Sequence, residues 1–231
     1  MKRFYKDVTT AAEDAGYGIR LDRRPVRTPG RAPLVVPTLT LAERIAREWA
    51  EQGEEIDPRA MRFTGLANAA IDRVAPDPAA FAAGIAVYGE SDLFCYRASG
   101  PAPLVARQAE RWDPLLDWAA RRYDVHFTLV TGVMHVAQPE ATLERLRAAV
   151  AVHSSFILAG LSPIVSLTGS LVAGLALLEG AADAGSVWDA AQLDELWQIE
   201  MWGEDALAAQ NRAQKRAEYD DCVTFCILAR E

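Results

Sequence analysis

Cysteine, histidine and lysine are scarce in this sequence, and each scarcity excludes something. Three cysteines among 231 residues (Cys95, Cys222 and Cys226) are odd in number and too sparse for a disulfide framework, and they fit a reducing compartment. Cys222 and Cys226 stand four apart on one helical face and are expected as buried structural thiols. His126, His135 and His153 are distant from one another in sequence and make no metal-ligand spacing, so no metal site is expected. There is no GxGxxG, no HExxH and no GxSxG. The nearest phosphate-loop spacing, Gly169 to Gly174, is followed by Leu175-Ala176 where Lys and Ser/Thr are required, so no nucleotide cofactor is expected by that route. Nor does the chain show a fixed-period repeat, which excludes a solenoid.

What is present is an ordinary globular balance: 51% apolar and 24% charged residues, enough to build a core and too apolar for a disordered chain. The net charge of −8 argues against nucleic acid as a partner and in favour of a basic protein surface. The charge is also uneven. Residues 1–31 carry eight Lys/Arg against four Asp/Glu, whereas residues 179–231 carry four against twelve. Asp189 to Asp205 holds six acids and no base, which is either a solvated face or a docking surface for a basic partner. The uncharged stretch Ser154–Leu178 is long enough to span a bilayer. Its serines, its glycines and Pro163 break it into two short helices, near Ser162–Pro163 or at Gly169, and no Lys/Arg cluster flanks it. It is expected as a buried helical hairpin, without stable membrane insertion. The charged residues from Met1 to Asp7 run straight into domain sequence, so no leader is expected and the compartment is expected to be the cytoplasm.

The order of elements points to an α+β fold: a small strand-rich N-terminal part, 1–76, and a larger, mainly helical part, 77–231, divided at Pro76-Asp77-Pro78. Strands are expected at Arg3–Val8, Tyr17–Leu21, Val26–Thr28 and Leu34–Val36. A helix follows, with Thr40 as N-cap and Glu43 completing a capping box. Further helices are expected at 60–74, 78–88, 104–123 and 139–152, as a pair within 154–180, and as a pair within 187–217. Val125–Val136 reads as either a hairpin or an extended crossing.

Seven strings stand in order along nearly the whole chain. They are Arg3-Phe4-Tyr5-Lys6, Leu21-Asp22-Arg23-Arg24-Pro25-Val26-Arg27-Thr28-Pro29, Glu48-Trp49 with Gln52, Ala67-Asn68-Ala69-Ala70-Ile71-Asp72-Arg73, Asp92-Leu93-Phe94-Cys95-Tyr96-Arg97 before Pro101–Leu104, Gln108 with Trp112-Asp113-Pro114-Leu115, and Gln198-Ile199-Glu200-Met201-Trp202-Gly203-Glu204-Asp205. Together they resemble the family of assembly chaperones for the soluble sector of the F-type ATP synthase, specific for its alpha subunit and found in mitochondria and alpha-proteobacteria. The Ala- and Arg-rich composition, with only three Lys, fits a GC-rich bacterial source. Two departures stand out: Met61-Arg62 where the family pattern has Met-Pro, and Ala206-Leu207-Ala208 where a further acid is expected.

The resemblance implies a protein that is not an enzyme, takes no cofactor and acts on no small-molecule substrate. Such proteins bind the free alpha subunit and prevent its aggregation until a beta subunit replaces the chaperone. The expected partner-binding residues are Glu200, Trp202, Glu204 and Asp205, the acids pairing with arginines of the client. For Glu204 and Asp205 a helix-terminal charge after Gly203 and plain solvation are the other readings. Leu193, Trp197 and Met201 are spaced as a core stripe, and Trp197 and Met201 are expected to pack inside. Trp49, Trp112 and Trp118 are also expected in the core, while Asp72-Arg73 and Asp92 with Arg97 are expected as internal ion pairs or caps. Arg23, Arg24 and Arg27 are placed on an exposed hairpin. Two other functions remain open at this point: a non-catalytic adaptor with a different client, and a small hydrolase using Glu200 and Glu204 from one helix face.

Overall fold

Alternating side chains in Gly16–Leu21 put Ile19 and Leu21 on one face of a strand, and both are buried in the computed structural model, which describes residues 1–230. This strand, β2, lies between β1 (Val8–Glu13), paired antiparallel from Val8↔Leu21 to Glu13↔Gly16, and two short pieces, β3 (Arg24–Pro25) and β4 (Val35–Val36). Gly16 is required where the hairpin closes: its φ is +143°, and a Cβ there would lie 2.2 Å from the Val36 carbonyl oxygen. Helix α1 (Leu39–Ala50) lays Leu41, Ala42 and Ile45 against β1 and β2.

The chain separates into two compact units. One comprises Met1–Pro78, Ser154–Leu161 and Asp221–Glu231; the other comprises Ala79–His153 and Ser162–Asp220. The expected division into 1–76 and 77–231 is contiguous, whereas these units are not, and Glu231 lies outside the described residues. The class is the expected one, a small strand-containing N-terminal part followed by a mainly helical remainder.

Within the first unit several local expectations need correction. Thr38, not Thr40, caps α1: its Oγ accepts from the Leu41 N–H at 3.2 Å, because Thr38 keeps an extended backbone immediately before the helix begins at Leu39. Residues 1–3 do not join the sheet. They run beside 54–56 instead, with the Arg3 N–H donating to the Glu54 carbonyl at 2.8 Å, and the sheet starts only at Val8. Asp72 does not pair with Arg73. Its carboxylate accepts from the Thr28 hydroxyl at 2.7 Å and the Gly30 N–H at 2.8 Å, pinning the loop after β3. Buried Glu48 caps α2 (Arg62–Ala69) by accepting from the Phe63 and Thr64 N–H groups at 2.9 and 2.8 Å, which satisfies two orphan donors of that helix. Cys222 and Cys226 are buried, as expected, and Cys226 Sγ lies so close to Gly160 that a Cβ there would be 2.4 Å away.

The second unit is organised on α4 (Ala102–Tyr123). Leu104, Gln108, Trp112, Leu116 and Ala119 fall at i, i+4, i+8, i+12 and i+15 along it and are all buried. Around this stripe, after α3 (Pro78–Ala86), pack α5 (Glu140–Ala151), α7 (Leu171–Leu178), α8 (Ala184–Ala191) and α9 (Leu193–Trp202). Trp112 stacks on Phe94 with centroids 5.6 Å apart and donates its Nε1–H to the Ala190 carbonyl at 2.8 Å. Of the other tryptophans expected inside, Trp49 and Trp118 are only half-buried.

The uncharged stretch forms α6 (Ser155–Thr168) and α7. The break falls at Gly169, whose φ is +66°, while Pro163 lies inside α6. Among the described residues no helix is long and apolar enough to cross a membrane. Val125–Val136 is an extended crossing: β6 (Val130–Thr131) pairs in parallel with β5 (Tyr96–Arg97). In place of the two helices expected within 187–217, that stretch holds the end of α8, all of α9 and the start of α10 (Ala206–Leu228), because Gln192 and Gly203 interrupt the run twice.

Candidate functional site

Helix α9 starts with Asp194 and Glu195 in its first turn, where the exposed N–H groups favour negative charge. Gln108 fixes that turn to α4: its amide donates to the Asp194 carboxylate at 2.7 Å, and its carbonyl accepts from the Ala98 N–H at 2.8 Å. The helix stops at Gly203, at φ +89° and ψ 169°, a region open essentially to glycine alone. Asp205 then starts α10. Its carboxylate accepts from the Ala208 N–H at 2.9 Å, and its carbonyl accepts from the Ala209 N–H at 2.9 Å.

Three acids of this segment, Glu195, Glu200 and Glu204, are held by arginines from elsewhere in the unit. Both Glu200 oxygens lie 2.8 Å from Arg107 Nη1, and the Arg107 guanidinium sits 4.8 Å from the centre of the Trp197 ring. Arg212 on α10 is shared by Glu195, at 3.1 Å, and Glu204. Glu200 and Glu204 therefore do not share a helix face. The helix ends between them, and each carboxylate meets a different guanidinium, so the paired-carboxylate arrangement that a hydrolase would use is absent here.

The apolar side chains of the turn point outward. Trp202 is 80% exposed, Leu207 65% and Met201 56%. The expectation that Met201 packs in the core is therefore corrected. Its helical spacing from Leu193 is that of a core stripe, but burial falls off along α9, from buried Leu193 through half-buried Trp197 to exposed Met201. Trp197 is half-buried under Arg107. Met201 and Trp202 thus end α9 and Leu207 stands in the first turn of α10, all three exposed, with Glu200, Glu204 and Asp205 beside them in the chain. Glu204 and Asp205 are exposed at the turn, and Asp205 also serves as a helix cap. Sequence reading missed Arg107 and Arg212; the only trace was that no base stands between Asp189 and Asp205 to answer six acids.

Asp92 and Arg97 do not pair. Arg97 reaches Asp113 at 2.6 Å, while Asp92 is fully buried and caps two helical starts, accepting from the Phe94 N–H at 3.1 Å and the Val172 N–H at 2.9 Å. Burial pushes its carboxyl up to about 6, against the pull of these hydrogen bonds and one from Ser170. Among the described residues no group of three or more His, Cys, Asp or Glu side chains is arranged to hold a metal ion.

Residues 2–120 match the family model described as ATP12 chaperone protein. Over 99% of its length the chain is also 43% identical to Atp12 of Paracoccus denitrificans, whose crystal structure is covered over 98% of that chain with a TM-score of 0.94. The chain belongs to the ATP12 chaperone family. A single-residue mutant of the P. denitrificans Atp12p superposes equally well, with the same identity, coverage and TM-score. The Atu1473 protein of Agrobacterium tumefaciens, described as a chaperone, is 41% identical over 99% of this chain and 86% of that one, with a TM-score of 0.93. The buried positions of this ATP12 family member that organise the second unit, Asp92, Phe94, Gln108 and Trp112, all fall within the matched span. The exposed turn at 201–207 lies beyond it.

Proposed function

We propose that the protein is an assembly chaperone for the soluble sector of the F-type ATP synthase, binding the free alpha subunit and keeping it from aggregating until a beta subunit takes its place. Family membership supports the chaperone role, and the observation that carries the client-binding reading is the uncovered apolar turn of Met201, Trp202 and Leu207 within an acidic border. In this reading Trp202 supplies contact area, and Glu200, Glu204 and Asp205 receive arginines of the client.

The internal ion pairs suit exchange. Both Glu200 and Arg107 are partly exposed, and pairs of that kind contribute only about 0–1 kcal/mol, so replacing Arg107 by a client arginine costs little. Binding of that type speeds encounter more than it deepens affinity, which lets a beta subunit compete. The protein performs no chemical step and needs no cofactor in this scheme, and it works in the cytoplasm.

The test is co-expression of the alpha subunit alone, with and without this protein, followed by measurement of soluble alpha subunit and of the complex recovered on a tag. Soluble alpha subunit held in a complex that lacks beta supports the reading. Equal insolubility with and without the protein sinks it.

A further inference from the structure

Between Phe127 and Gln138 the chain has no Asp, Glu, Lys or Arg, and its single titratable side chain is His135. The segment is nevertheless not loose. Gln138 braces its base, accepting from the Thr128 N–H at 2.8 Å and donating to the Thr128 carbonyl at 2.9 Å. Thr142 donates to the His126 carbonyl at 2.8 Å, and the Gly132 N–H donates to the Arg97 carbonyl at 2.8 Å. Apolar side chains around Gly132 stand in solvent, Val133 93% exposed and Met134 77%, with Leu129 and Val136 also exposed, while His135 Nδ1 lies 3.2 Å from the Tyr96 hydroxyl. Single exposed apolar residues need no explanation, but a contiguous group on a braced segment marks an interaction surface. Strand β6 is paired on one side only, by β5. At two residues β6 is a short edge, and no Lys, Pro or carboxylate follows it before Pro139 to turn away an added segment.

A cleft of about 390 Å³ adjoins the segment, with Leu116, Phe127 and Leu129 among its apolar lining and Asp113, Asp117 and His126 as its titratable residues. No arginine or lysine lines it. Asp113 is engaged by Arg97, and among the described residues no cation pairs with Asp117. A cleft with an apolar floor and a carboxylate wall fits the stem and head of an arginine or lysine.

We propose that the projection at Leu129–Val136 and its acidic cleft form a second docking surface, which takes an extended apolar segment of a client protein alongside β6 and seats one Arg or Lys of that segment on Asp117. A membrane leaflet is the poorer occupant, because the projection carries no Lys or Arg and the neighbouring carboxylates would repel anionic lipid. The inference rests on the chaperone reading, though not on the alpha subunit being the client.

The test places a photo-crosslinking p-benzoylphenylalanine at Val133, Met134 or Trp202 of the full chain in cells that make the ATP synthase, with Val152, an equally exposed apolar site, as control. Crosslinks from Val133 and Met134 are expected to map to an apolar client peptide carrying Arg or Lys. Their yield should fall about fivefold with Asp117→Lys, and less with Asp117→Asn, at unchanged Tm. Crosslinks no stronger than at Val152, crosslinks indifferent to Asp117→Lys, or crosslinks to a second copy of this chain or to lipid overturn the inference. Capture of the alpha subunit at Trp202 alone overturns it while keeping the proposed function. Crosslinks of the expected chemistry and Asp117 dependence on a different protein uphold it and overturn the alpha-subunit assignment.

Discussion

A proton on Asp92 should stabilise this protein, and the dependence can be worked from its surroundings. The carboxyl is fully buried and titrates at about 6, against 3.8 for an ordinary aspartate; burial is the main cause, opposed by hydrogen bonds from Val172, Ser170 and Phe94. Because the folded-state value lies above the unfolded one, the native state holds the proton more tightly. The contribution is complete below the unfolded value of 3.8 and is lost as pH rises through about 6. The difference between those two values corresponds to about 3 kcal/mol, and a group without solvent contact needs no discount for screening. Asp92→Asn removes the titration. It also turns an amide N–H toward the N–H of either Phe94 or Val172, which costs about 1–3 kcal/mol at every pH. The assay is urea unfolding of both proteins from about pH 4 to about pH 7.5, a range that brackets the folded-state value. The stability of wild type minus that of Asp92→Asn should shrink as pH rises, while contributions from other groups cancel between the two. A flat difference would show that the carboxylate's hydrogen bonds cancel its burial, one that grows with pH that they outweigh it, and either would refute the argument.

Other expectations separate stability from capture. Asp205→Ala should cost about 1 kcal/mol through the lost cap of α10, whereas Asp205→Asn keeps an acceptor for the Ala208 N–H and should cost little; if the proposed client contact is electrostatic, both weaken alpha-subunit capture in co-expression. Glu204→Ala with Asp205→Asn should leave the circular dichroism unchanged and reduce soluble alpha subunit, and undiminished client solubility would count against both acids as contacts. Trp202→Ala should change stability by less than about 0.5 kcal/mol, since its ring is mostly in water, yet lower client capture in the same co-expression measurement. Gly160→Ala should lower thermal stability by about 1–3 kcal/mol, because the new Cβ meets Cys226 Sγ. Burial pushes the Cys226 thiol up to about 12, so under native conditions it should react with thiol reagents only as fast as the chain opens.

The legible parts of this protein were those governed by near neighbours in sequence. The helix expected from Leu104 to Tyr123, the strand at Tyr17–Leu21 and the break at Gly169, one of the two places left open for it, follow from element periodicity or from one backbone preference. The same kind of reasoning failed where burial, rather than spacing, decided the outcome. Met201 keeps the spacing of a core residue but lies past the point where the surrounding helices still cover α9. Thr40 with Glu43 has the capping-box spacing and Thr38 has not, yet Thr38 has the extended backbone that a cap requires and Thr40 already lies inside the helix. Of the ion-pair and cap readings open for Asp92 with Arg97, the cap holds for Asp92, while the ion pair fails because Arg97 takes the carboxylate presented by α4.

The sequence by itself determined the kinds of element, the α+β class, and, through seven strings in order, the family to which the chain belongs. It also determined that six acids from Asp189 to Asp205 have no base among them. The tertiary structure alone decided how those acids are used: Glu200 on Arg107, Glu204 and Glu195 on Arg212, Asp205 on the end of a helix, and Trp202 in open water. The physical reason is range. Periodicity and capping act over a few residues, whereas Arg107 reaches a carboxylate 93 positions away only because α4 and α9 pack together.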